Sequence, residues 1–389
     1  MNTPMGGQFV RESRVLLAAA AVGLSAATGL LVLPEHSQGP GRSPSAELAA
    51  AHRGMVTGTV WVANEEGGSL TAIEASTNRV IATVKGIAGP HNVQAAPDGR
   101  TVWAVSEPSN RVVKLDGSRY SLLGTAATGD MPAHVILGTN GKRAYVSDAG
   151  DGSVSVFDAK SLSRGGTISV DKGPHGMRPS PDGRWVYTAN TVAGTVSVVD
   201  TVRDRQVASI PVGAGPVQVA FQPDGRYAYV TLGGENAVAK IDVAKRAVVA
   251  KIASGPHPAQ IYASPDGRYL LAADQGTETQ QGKTVSIIDA ATFTVVARPT
   301  VGKGPHGVTI DATGRHAFIT NVYEDDVAVL DLAERKVVAR VPVGDAPNGV
   351  SFTSRAPVVP EKPETTVSLP KAAMSEGESS HGDMGGMSH

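Results

Sequence analysis

Between residues 58 and 353 apolar and polar positions alternate with a period of two, in short runs broken by Gly, Pro, Asp and Asn. That period is the signature of half-buried strands, not helices. The stretch Gly173–Gly213 shows the unit well. A strand (a) follows a loop proline, and PDGR at Pro181–Arg184 makes a tight turn. WVYTAN (b), TVSVVD (c) and QVASIPV (d) then follow as three further strands.

The unit recurs. Loop prolines stand at Pro90, Pro132, Pro174, Pro216, Pro258, Pro305 and Pro347, spaced 42, 42, 42, 42, 47 and 42. Acids closing strand c stand at Glu74, Asp116, Asp158, Asp200, Asp242, Asp289 and Asp331, with matching spacings after the first copy. Four short antiparallel strands every 40–45 residues predict the blade of a β-propeller. The first copy starts at strand b, Val60–Asn64, and the last stops after strand a, Gly349–Thr353. The expected fold is therefore all-β: a seven-bladed propeller with a composite closing blade made by both ends of the repeat region. Such a joint pairs the edges an open array would expose.

The segments WVAN (Trp61–Asn64), YVSD (Tyr145–Asp148), YTAN (Tyr187–Asn190), YVTL (Tyr229–Leu232) and ITN (Ile319–Asn321) resemble the YVTN-repeat, or YncE-like, β-propeller family. The resemblance covers about Gly58–Thr353 and implies the fold. It implies no reaction, because the motif residues are blade scaffold. The architecture is similar to the propellers of cytochrome d1 nitrite reductase, nitrous oxide reductase, bacterial lactonases and streptogramin lyases.

The ends differ from the repeats. Arg11 and Arg14 precede an uncharged apolar run, Val15–Leu33, so residues 1–33 read as an export signal or an N-terminal membrane anchor. Residues 34–57 read as a flexible tether. Residues 354–389, rich in Pro, Glu, Lys and Ser, read as a disordered tail ending in HGDMGGMSH. The expected location is extracytoplasmic, with membrane contact only through the anchor.

With no cysteine, the 389-residue chain has no disulfide, thiolate metal ligand or Cys nucleophile. Its 35 Lys+Arg against 36 Asp+Glu, and 4% aromatics, argue against a dedicated nucleic-acid binder. The near-zero net charge is distributed unevenly. Loops joining strands b and c are acidic, including Glu65, Glu107, Asp148 and Asp325, whereas the PDGR turns and c–d hairpins collect arginines. The repeated acids themselves read as turn formers that accept backbone N–H groups.

Histidines break the regularity. His91, His175 and His306 directly follow the loop proline, His134 lies two residues beyond it, and His257 lies one before it. All five fall in loops on the acidic face, at the mouth of the central channel. Neutral imidazole is the commonest metal ligand, so these five are candidate metal ligands. The tail adds His381, Met384, Met387 and His389, a thioether–imidazole set that suits copper. The leading expectation is an exported, monomeric, non-enzymatic propeller that binds a protein or small-molecule partner on this face, with copper as the candidate metal. A lactonase- or lyase-like enzyme with a metal-assisted site at the channel mouth, its candidates His257 or His306 beside the insertion Gln275–Lys283, is the alternative. Single-stranded nucleic-acid binding on the basic face is a second. No HExxH, Ser-His-Asp order or nucleotide loop supports catalysis.

Overall fold

A computed structural model describes residues 56–370. Seven antiparallel sheets form the blades, six of four strands and one of five. The innermost strands are Val93–Ala95, Pro132–Leu137, Pro174–Pro179, Pro216–Phe221, Pro258–Ala263, Pro305–Ile310 and Pro347–Thr353. Each packs beside the next, and the last beside the first, so the ring is closed around a central channel. The cores lie between blades, where Trp61, Trp103, Tyr145, Tyr187, Tyr229 and Phe318 are fully buried.

The closing blade is composite. Pro347–Thr353 pairs antiparallel with Thr59–Asn64, which continues through Ser69–Glu74 to Arg79–Lys85. The acids closing strand c behave as turn formers. The Oδ1 of Asp116 accepts from Ser118 and Arg119 N–H, that of Asp200 from Val202 and Arg203, and that of Asp331 from Ala333 and Glu334. Several arginines of this face are also ion-paired to aspartates, including Arg143–Asp204, Arg184–Asp200 and Arg315–Asp331. The basic face is thus neutralised where it meets its own turns.

The stretch after the propeller departs from expectation. Glu364–Thr366 adds to Arg79–Lys85 as a fifth, parallel strand. Val367 is buried in the neighbouring core, Leu369 packs against it, and the Tyr120 hydroxyl donates to the Val358 carbonyl. An average over the tail's polar composition hides two apolar residues that cover an open sheet edge. Only residues 371–389, with His381, Met384, Met387 and His389, lie outside the described residues, as do the export run and most of the tether. Among the described residues no helix is long and apolar enough to cross a membrane.

Candidate metal centre

The channel mouth is built by a repeated irregularity in the inner strand. In the blade of Pro174, the proline pairs with Asn190 but Met177 pairs with Thr188, so three steps on one strand face two on the other. The same bulge recurs after Pro132, Pro216, Pro258, Pro305 and Pro347. A bulge leaves an extra residue unpaired and redirects its side chain. The redirected positions are the first and second after the proline, which is where His134, His175 and His306 stand; His91 holds the matching place after Pro90, ahead of the short strand Val93–Ala95.

Strand-b hydroxyls lock this geometry. Ser147 Oγ accepts from the His134 N–H at 3.0 Å and donates to the His175 carbonyl at 2.7 Å. Thr320 does the same for the Gly307 N–H (2.7 Å) and the Asn348 carbonyl (2.7 Å), and Thr231 for Gln218 (3.1 Å) and Ala259 (2.6 Å). Each hydroxyl satisfies the N–H that the bulge releases and ties the next blade's loop to its own. These positioning residues were read only as scaffold in the sequence.

Four histidines converge. One ring nitrogen from each of His91, His134 and His175 lies within 4.8 Å of the others. His91 and His175 face each other Nε2 to Nε2 at 3.1 Å. The His306 ring centroid is 6.0 Å from that of His91. The other nitrogens show which way the lone pairs point. His175 Nδ1 lies 3.1 Å from the Val217 carbonyl, which only accepts, so Nδ1 carries the proton and Nε2 is unprotonated in the neutral ring. His91 Nδ1 lies 3.0 Å from Glu65 Oε1, and Asn348 Nδ2 donates to the other carboxylate oxygen. Burial works to raise the Glu65 carboxyl, but the hydrogen bonds from His91 and Asn348, with the His91 charge, outweigh it and hold Glu65 well below the usual carboxylate range. An ionised Glu65 accepts the hydrogen bond of the His91 Nδ1–H, with the Asn348 amide 3.2 Å from the same nitrogen, leaving the Nε2 lone pair aimed at His175. His134 Nε2 and His306 Nδ1 are buried without any hydrogen-bond partner.

Two lone pairs 3.1 Å apart repel unless a proton or a metal cation lies between them. Burial, then the neighbouring His91 charge, lowers His175 to about 4. Burial and the surrounding imidazoles likewise hold His134 and His306 below their ordinary value. At neutral pH these rings therefore present ligands, not charges. Nitrogens on a tetrahedral ion at about 2.0–2.1 Å stand roughly 3.3 Å apart. The His91–His175 spacing is close to that figure, and the third nitrogen, within 4.8 Å of the others, needs a shift of up to about 1.5 Å to reach it.

His257 does not join the group. It is exposed, its backbone is left-handed (φ 40°), and its ring lies over Gly233 of the adjacent blade. A residue before the proline precedes the bulge, so nothing turns it inward. The insertion near it lengthens a hairpin, Tyr269–Gly276 with Gln281–Asp289, and brings no titratable partner to the cluster. Glu65 and Asn348, by contrast, are site residues that the sequence did not single out. Glu65 belongs to a loop that reads as one acidic member of a set. Its link to His91 exists only because the ring closes between the composite blade and its neighbour.

A family profile described as a YNCE-like beta-propeller matches residues 99–269. The closed ring of seven blades makes the chain a β-propeller, the fold that this profile describes over the blades it matches. Solved structures agree on the fold. Kuenenia stuttgartiensis hydrazine synthase is 26% identical, with a TM-score of 0.62 over 68% of this chain and 89% of that one. A functionally unknown protein from Desulfotomaculum acetoxidans is 15% identical, with a TM-score of 0.67 over 76% of this chain and 98% of that one. The dihydro-heme d1 dehydrogenase NirN, solved in complex with DHE, is 16% identical, with a TM-score of 0.57 over 75% and 74% of the two chains. No curated protein matches the sequence.

Proposed function

We propose that this propeller is an extracytoplasmic metal-binding protein that holds one transition-metal ion at the channel mouth. His91, His134 and His175 supply the ligands, and His306 stands beside them. The observation that carries the reading is the pair of Nε2 lone pairs held 3.1 Å apart, each fixed by a partner on its own Nδ1. Imidazole ligands in metal sites are typically oriented in this way, by a carboxylate or carbonyl on the second nitrogen. Three imidazoles suit copper or zinc, and the Met/His tail favours copper. Binding is the activity proposed. Among the described residues Glu65 is the one carboxylate in hydrogen-bond contact with the cluster, and it is committed to His91 and Asn348.

Electron paramagnetic resonance of the full chain loaded with one equivalent of Cu(II) tests the reading. Nitrogen hyperfine structure from imidazoles, lost in the His91→Ala/His175→Ala variant, is expected. A copper signal without imidazole nitrogen contradicts it. Proton competition at His175 is expected near pH 4, where that ring titrates, and not near pH 6.5 as for a free imidazole.

A further inference from the structure

The other end of the channel is a separate cavity with different chemistry. Four residues beyond each loop proline, the inner strands present a second ring to the axis. Arg178 is its one charged member; Gln94 and Tyr262 are polar, Ile136 and Ala220 are small or apolar, and the remaining two are hydroxyl residues. Below that ring a funnel of about 470 Å³ opens on the face of the PDGR turns. Leu137, Phe221 and Pro223 are among its walls, and no aspartate, glutamate or lysine lines it.

Arg178 is the anomaly here. Turn-face arginines such as Arg143, Arg184 and Arg315 are paired with carboxylates. Arg178 has no ion pair among the described residues. Its guanidinium stacks 5.2 Å from the Tyr262 ring centroid, and its one hydrogen bond is a long 3.5 Å contact to Gln94 Oε1. A guanidinium carries five N–H donors in a fork that fits a carboxylate. Arg178 is half-buried, and drawing a cation partly out of water without a counter-charge is costly. A protein can retain it where a ligand supplies that charge.

We infer that this funnel binds a small organic monocarboxylate, its carboxylate on Arg178 and its apolar body against Leu137, Phe221 and Pro223. The single cation argues against phosphate, whose second charge would remain unpaired. The apolar walls argue for a hydrocarbon or aromatic body. This site shares no side chain with the metal cluster and opens on the opposite face, although the Arg178 charge is felt at His134 through the channel.

The test is calorimetric titration of the full chain with sodium benzoate, with benzamide and inorganic phosphate as separate arms. Benzoate is expected to bind one to one with a Kd below about 1 mM. Benzamide and phosphate should bind at least about 10-fold more weakly, and Arg178→Gln should lose benzoate by about the same factor or more. The His91→Ala/His175→Ala variant should keep it. Absence of benzoate binding, tighter binding of phosphate, or loss in the histidine variant but not in Arg178→Gln overturns the inference. If Arg178→Gln does not fold, a benzoate soak of crystals of the native chain decides: the carboxylate lies on Arg178, or the inference is wrong.

Discussion

The acids that close strand c and the side chains that ring the channel come from one seven-fold repeat, yet they have diverged in opposite ways. The first set is acidic in all seven copies, and in copy after copy it accepts the N–H groups of its own turn. The second set differs from blade to blade: histidine in three positions after the proline, then Ala133, Val217, Ala259 and Asn348 in the others. Where every blade solves the same local problem, the copies stay alike. Where seven positions meet on one axis, each copy has different neighbours, and the set can be built into one asymmetric site. The scaffold is therefore expected to answer substitutions with stability, and the ring with binding.

The severest break of that contrast is at the closure. Deleting residues 60–85 removes three strands of the composite blade and is expected to abolish cooperative unfolding altogether, read by calorimetry. Ending the chain at Arg355 is a milder cut. It uncovers the Arg79–Lys85 edge and the Val367 contact, so the melting temperature should fall, whereas a chain ending at Pro370 should keep it. Equal melting of the two truncations would return residues 356–370 to the status of an unattached tail.

Thr320→Val probes the seam between scaffold and ring. It keeps the shape but strands the Gly307 N–H and the Asn348 carbonyl, both buried. A loss of about 1–3 kcal/mol in urea unfolding is expected. A neutral result would mean that the bulges hold without their hydroxyl locks.

The ends of strand b sharpen the comparison from the other side. Asn64 and Asn190 donate there to strand-c hydroxyls, while Asp148 and Asp274 occupy the matching positions and accept from Ser153, Ser155, Thr284 and Ser286. Burial pushes Asp148 and Asp274 up to about 6, against those hydrogen bonds. A carboxyl raised in the folded state binds more protons folded than unfolded between its two pKa values. Its contribution to stability is therefore lost as pH rises from about 4 to about 6. Asp148→Asn should stabilise the protein by on the order of 2 kcal/mol at pH 8, by roughly half of that at pH 5 and by little at pH 3. The same gain at all three pH values would show that ionisation is not what separates the copies.

Much of this was legible in the sequence because it is local. Period-two runs, prolines and turn acids specify strands and their order, and two spacing series agree on seven copies. The shared loop position of His91, His175 and His306 places them around the channel mouth; that rings there come together depends on how narrow the closed ring is, which no local pattern gives. The bulges that turn His134, His175 and His306 inward were not legible either, since each is a pairing defect between strands and leaves no composition signal. Glu65, Asn348 and Ser147 were missed because each acts on residues distant in the chain: Glu65 and Asn348 on His91 from the closing blade, and Ser147 on the His175 carbonyl of the next blade. His257 misled because one residue of offset, before the proline instead of after it, places the ring outside the bulge.

Metal content of the purified full chain after dialysis against copper, with free ion removed, tests the central claim most directly. It should be measured beside a chain ending at Pro370 and beside the His91→Ala/His175→Ala variant with its tail intact. About one tightly held equivalent is expected in the first two and none of it in the third. Equal metal in the double variant, or metal lost only with the tail, would contradict a centre at the channel mouth.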